Sequence, residues 1–374
     1  MPEERIPPAG PLVGVRVVEF AGAGPGPFCA MLLSDLGADI VRIDRPDGFA
    51  GLSAELTVDV PSRGRASLVL DLKAAADRDL ALAAMAQADV VIEGFRPGVM
   101  ERLGLGPDAA LARNPRLVYG RVTGWGQTGP LSQTAGHDIN YIALTGALAA
   151  IGGAARPRPP LNLVGDFGGG ALYLAFGLVA ALFERNRSGR GQVVEAAIVD
   201  GVASMMAVFS GMLAVTPNAL ADGRLGLAGD GANYRCYECA DGRFVAVGAI
   251  EPKFRETLSQ ALDLDPGVDL LSTDPAVQAK AVEALSAAFR TRPRDAWRDL
   301  LQDLDACVTP VLGLDEAPEH AHMRARGVYV TVDGVVQPAP SPRFSRTPGA
   351  VQGPEPAIGA GGRERLAAWG VTSS

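Results

Sequence analysis

Apolar positions in the first third of the chain form short β-branched runs separated by longer stretches of helical spacing. The pattern predicts strands over 15–20, 40–43, 67–71, 90–93 and 117–122, with helices over 28–37, 74–87 and 107–113 between them. Alternation of this kind specifies a mostly parallel sheet covered by helices, on which ligands sit beyond the carboxyl ends of the strands. Farther along, "GGGALYLAFGLVAALF" (168–183) predicts a buried helix that begins at Gly168 and ends near Asn186, too short to span a bilayer comfortably. A strand, "VVEAAIV", and a second apolar helix from Asp200 to about Val215 follow it, and 217–231 reads as a loop. Beyond that loop "FVAVGAI" is strand-like, helices are expected near 253–262, 274–290 and 293–304, and the Pro-, Gly- and Ser-rich stretch 337–362 should wrap a surface. The expected fold class is therefore α/β. Along the chain this reads as a parallel-sheet α/β region over 1–199, a helix and loop over 200–231, a smaller α/β region over 232–318 and a tail over 319–374.

Composition narrows the chemistry. Of 374 residues 48% are hydrophobic and the formal charge is −8, which argues against a nucleic-acid or anionic membrane partner. An anionic ligand must then be met by a local cluster of cations. Cys29, Cys236, Cys239 and Cys307 are too scattered for a disulfide framework, so a reducing, cytoplasmic setting is expected. "MPEERIPPAG" does not read as a secretory signal, nor "TSS" as a peroxisomal address. Cys236 and Cys239 form C-x-x-C without a second pair at metal spacing, and His320 and His322 stand among charges, so no metal site is expected.

The turn "AGAGPGP" after the first strand tests for a dinucleotide. Gly22, Gly24 and Gly26 fail the G-x-G-x-x-G spacing in both registers, since Pro27 or Cys29 occupies the last glycine position. Pro25 and Pro27 remove N–H donors that a phosphate cradle would use, and Pro27 suits the first position of a helix. Asp44, at the end of the second strand, could hold a ribose hydroxyl, but Arg45 follows it directly.

Seven segments together carry a resemblance: "GVRVVEFAGAGPGPFCAMLLSDLGADIVRIDRP", "VIEGFRPGVMERLGLG", "GRVTGWGQTGP", "AGHDINYIALTG", "LNLVGDFGGG", "GQVVEAAIVDG" and "YECADGRFVAVGAIEPKF". From about residue 10 to 345 the chain resembles the family III CoA-transferase fold, and within it the α-methylacyl-CoA racemases. "GHDINYI" paired with "NLVGDFGGG" is the specific part. The resemblance implies two domains, a Rossmann-like, CoA-binding large one over 1–199 completed by the return segment 319–374 and a small α/β one over 232–318 joined to it by the linker 200–231. It also implies a CoA thioester substrate, CoA being part of the substrate with no separate cofactor, and an interlocked homodimer with its site between one subunit's large domain and its partner's small one.

Inverting a centre beside a thioester carbonyl needs two groups of comparable proton affinity and something to stabilise the enolate oxygen. His137 is the only histidine in the first 319 residues, and the resemblance gives it one face of the α-carbon. Asp166 stands before three glycines and the long apolar helix, where an N-capping Asp also belongs. The resemblance makes it the second base, and implies that Glu251 orients His137. Asp138 and Asn162 are expected to support the pair, by bonding to it or by holding its loop. For the CoA phosphates and adenine, Arg45, Lys73, Arg96 and Arg102 fall at or after strand ends, with Leu70, Asp71, Leu72, Gly94 and Phe95 beside them and Gly136, Ile139, Asn140 and Tyr141 around the histidine. Met205, Met206, Phe209 and Met212 either wall an acyl chain or form core at helical spacing, the latter being preferred. Two rival readings stand beside the racemase: a CoA-transferase, in which an aspartate attacks the thioester, and a non-catalytic acyl-CoA-binding protein.

Overall fold

The computed structural model describes residues 9–48, 58–152, 157–216 and 227–371. Its main sheet joins β1 (Arg16–Phe20), β2 (Asp39–Asp44), β3 (Ala66–Val69), β4 (Val90–Glu93), β5 (Val118–Thr123) and β6 (Gln192–Ala197) in the order β3-β2-β1-β4-β5-β6, every pair parallel. This is the doubly wound order, and the strand order reverses between β1 and β4. Runs such as Val17-Val18 and Val90-Val91-Ile92 are wholly buried because helices cover both faces. On one face lie α2 (Ala75–Ala86), the short α3 (Val99–Arg102), α4 (Pro107–Arg113) and α14 (Gly362–Ala368); on the other lie α1 (Pro25–Asp35) and α7 (Tyr173–Ser188).

Several boundaries differ from expectation for physical reasons. α1 starts at Pro25, not after Pro27: Pro25 occupies the first helical turn position, where its missing donor costs nothing, and Gly24 is the N-cap. β3 ends at Val69, and Leu70 turns its side chain into the core at 1% exposure. The long apolar helix does not begin at Gly168. A π-helical segment, Leu163–Leu172, runs directly into α7, giving 26 continuous helical residues. By length and composition that stretch is enough to cross a membrane, in contrast to the shorter run read from sequence. Leu174, Leu178, Ala181 and Leu182 commit one face of it to the sheet, whereas Leu172, Phe176, Val179 and Phe183 are exposed on the other, so the helix is buried on one side only. The second apolar helix is two: α8 (Ile198–Met205) and α9 (Ala207–Val215).

Contacts divide the chain into two units: 1–146 with 160–205 and 324–374, and 147–159 with 206–323. The second contains α6 (Ala147–Gly152), α9, the antiparallel sheet β7 (Tyr234–Glu238), β8 (Phe244–Gly248) and β9 (Val308–Pro310), and helices α10 (Pro252–Ala261), α11 (Pro275–Phe289) and α12 (Arg294–Leu301). Its core includes Tyr237, Val245, Leu285, Phe289 and Trp297. Residues 147–159 thus group with the second unit, and 200–205 with the first, a finer division than the hydrophobic pattern suggests. α5 (Asp138–Leu144) belongs to the first unit; α13 (Ala321–Ala325) and the hairpin β10 (Tyr329–Val332) and β11 (Val335–Pro338) lead back to it. The wrapping segment bonds Gly64, Ser34 and Asp35 in passing, and Ala360 accepts the N–H of Ser67. Residues 217–226 of the expected loop, and the terminal "TSS", lie outside the described residues.

Candidate active site

Asp166 is the fourth residue of the π-helical segment and not its N-cap, a place taken by Asn162. π-helical turns inside longer helices are rare and cluster at functional sites. Four glycines let this one be approached from several sides. A Cβ on Gly165 would lie 2.2 Å from Asp138 Oδ1, one on Gly170 3.0 Å from Pro25, and one on Gly169 2.6 Å from Val202. Gly24 of the opening turn (φ 66°, ψ −114°) has a backbone closed to other residues, and a Cβ there would come within 2.9 Å of Asp166 Oδ2. The failed dinucleotide turn is therefore the seat of the Asp166 carboxyl. Beside it Phe28 stacks on Phe167, centroids 4.4 Å apart.

His137 is the exposed N-cap of α5, its backbone N–H donating to Asn140 Oδ1 at 3.0 Å. The next residue, buried Asp138, accepts the Asp166 N–H on Oδ1 at 2.6 Å. Asp138 thus holds the backbone beneath the Asp166 carboxyl. Asn162 Nδ2 makes a long contact of 3.4 Å to Asp166 Oδ2. Burial raises the Asp166 pKa above its ordinary value; the Asn162 amide opposes that, the Asp138 carboxylate adds to it, and the nearby His137 charge opposes it again. Tyr141 closes the side: its hydroxyl donates to Gly136 O and its ring meets Trp125 edge-on at 4.7 Å. A Cβ on Gly124 would lie 2.0 Å from that ring. Ile139 and Asn140 are exposed.

The remaining expected residues fall into two groups. Arg45, Lys73, Arg96 and Arg102 are exposed after β2, β3 and β4, with Gly94 also exposed and Phe95 half-buried. Arg45 lies over the Phe95 ring, its Cζ 5.6 Å from the centroid. Asp71 Oδ1 accepts the Lys73 N–H at 3.0 Å, and Leu72 is half-buried. The Leu70 side chain is core, so the expectation that it lines the ligand holds for no more than its backbone. Asp44 is also withdrawn: it is 3% exposed and binds Arg42 and Ser67, leaving nothing for a ribose. Glu251 is in the second unit, exposed, as the N-cap of α10. Met206, Phe209 and Met212 are half-buried and pack against Ala150, Met206 and Phe209 also lining a cavity with Ile151, Tyr234 and Val247, while Met205 is 40% exposed. Sequence reasoning missed Glu93 and Arg121. The available signal was an acid closing an otherwise apolar strand, "VVIE".

Residues 12–361 match the family described as CoA-transferase family III, and the chain belongs to that family. It is similar to the α-methylacyl-CoA racemase of Mus musculus, 44% identical over 343 residues, covering 90% of this chain and 87% of the relative. The human α-methylacyl-CoA racemase is 41% identical over 341 residues, with the same coverage of both. Among solved structures, a CAIB/BAIF family protein from Brucella suis superposes with a TM-score of 0.82 at 26% identity, covering 96% of this chain and 100% of that one.

Proposed function

We propose that the protein is an α-methylacyl-CoA racemase, an isomerase that moves the α-proton of a 2-methylacyl-CoA from one face to the other through an enolate. The observation that supports this reading is the bond from the Asp166 N–H to Asp138, the residue next to His137, in a chain 41–44% identical to proteins of that name. The active pair holds one proton. Whichever partner is unprotonated removes the α-proton, and the other returns one to the opposite face. A raised carboxyl pKa suits this task, because it brings Asp166 nearer the imidazole in proton affinity. No electrons change hands, so the chemistry calls for no redox cofactor, and CoA serves as the handle of the substrate.

Arg45, Lys73, Arg96 and Arg102 supply the cations for its phosphates. A homodimer is part of the proposal. The exposed stripe Leu172, Phe176, Val179 and Phe183 is the kind of helix face that a second subunit covers.

The test is to incubate one epimer of a 2-methylacyl-CoA in deuterated water without an acceptor acid, following α-deuterium and the R/S ratio. Epimerisation with deuterium uptake is expected. Absence of exchange refutes the racemase reading, and acyl transfer upon adding a free acid in its place supports a CoA-transferase, with Asp166 as nucleophile.

A further inference from the structure

The loop after β4 carries Phe95 and Arg96, and three charged residues hold it from both ends. Glu93 closes β4 at 1% exposure. One of its carboxylate oxygens accepts Arg121 Nε at 2.7 Å, and the other accepts the backbone N–H of Phe95 at 2.8 Å. Arg121 lies opposite Glu93 on β5 and turns its two remaining nitrogens to Glu101 of α3, at 2.8 and 3.2 Å. A single guanidinium therefore ties the residue before the loop to the helix after it. Between these ties Gln133 Nε2 donates to Pro97 O at 3.3 Å, and the Phe95 ring packs edge-on to Phe20 with centroids 6.3 Å apart. That fixed ring is the surface beneath the Arg45 guanidinium.

Stability does not explain the arrangement. Burial pushes the Glu93 carboxyl above its ordinary pKa despite Arg121, and buried ion pairs are often no more stable than apolar residues of the same volume. What an apolar pair cannot provide is the acceptor for the Phe95 N–H and a bidentate fork on α3.

We propose that Glu93, Arg121 and Glu101 act as a positioning clamp that sets affinity for the nucleotide portion of the CoA thioester by fixing Phe95 and, through its ring, Arg45. The inference rests on the reading of Arg45 as a CoA contact. The clamp touches neither the reacting carbon nor Asp166, so its loss belongs in KM.

The experiment compares Glu93→Gln and Arg121→Lys with the parent on two substrates: a 2-methylacyl-CoA and the same acyl group on pantetheine, which lacks the nucleotide. Arg45→Ala is the reference. For the CoA ester, KM is expected to rise about tenfold, the scale of one charge-assisted hydrogen bond, with kcat within about twofold. The pantetheine ester should be turned over as by the parent. Equal losses on both substrates overturn the clamp in favour of a general structural role. An unchanged KM for the CoA ester, while Arg45→Ala raises it, overturns the clamp and leaves the Arg45 reading standing. Failure of Arg45→Ala itself to reduce the preference for CoA over pantetheine removes the reading on which the clamp rests. Glu101→Gln, altering a half-exposed side chain, supplies the same comparison should Glu93→Gln not fold.

Discussion

A carboxylate asked to share one proton with an imidazole must be lifted out of its ordinary range, and Asp166 is lifted chiefly by burial. The pair is active with one proton and inactive with two or none, so kcat/KM should trace a bell whose acid limb lies above the ordinary carboxylate value of 3.8. Asn162→Ala deletes the hydrogen bond that opposes the rise, so the acid limb should move to higher pH, as a pH profile would register. His137→Ala should lower kcat by roughly 10²–10⁴, the usual worth of a positioned acid–base group, and slow α-deuterium exchange in parallel. Stability carries the opposite sign. The folded chain keeps the Asp166 proton to higher pH than the unfolded chain does, so stability falls as pH climbs from 3.8 to the raised folded value. Asp166→Asn should therefore melt above the parent at pH 7 and converge with it in acid, by calorimetry at both pH values. His137 and Asp166 were legible as letters in two motifs. The bond from the Asp166 N–H to Asp138 was not, because it joins positions 28 apart and exists only after folding.

At the scale of elements, parallel strands were legible because burial on both faces leaves unbroken β-branched runs. The start of the long helix was not. "NLVGD" reads as a loop and cap by local preference, yet from Leu163 the backbone is already helical, widened to the π form, with glycines where neighbours intrude. Gly165→Ala tests that account. Its added methyl would displace Asp138, so we expect a loss of about 1–3 kcal/mol on denaturant melts, as overpacking costs elsewhere, together with a fall in kcat. Retained stability with full activity would show that the segment yields easily. Leu70 shows what the letters leave out: its side chain goes to the core at the strand end while its polar neighbours Asp71 and Lys73 stay outside.

For the whole molecule, composition spoke to solubility and charge, and motif order to the family, but neither showed that α7 leaves Phe176 and Phe183 at 76% and 66% exposure. Phe176→Glu should shift sedimentation of the proposed dimer to that of a single chain, and the shift should deepen on dilution. An unchanged sedimentation coefficient would sink the assignment of this face. Leu366, Trp369 and Val371 finish the core over β2 and β3, and Trp369 and Arg365 both bind Asp39. The second unit is nearly continuous from 206 to 323, whereas the first gains its closing piece only after 362–371 have been made. On the ribosome, then, the half of the molecule that begins first is completed last, and the interval between is when a chaperone has an open sheet edge to hold.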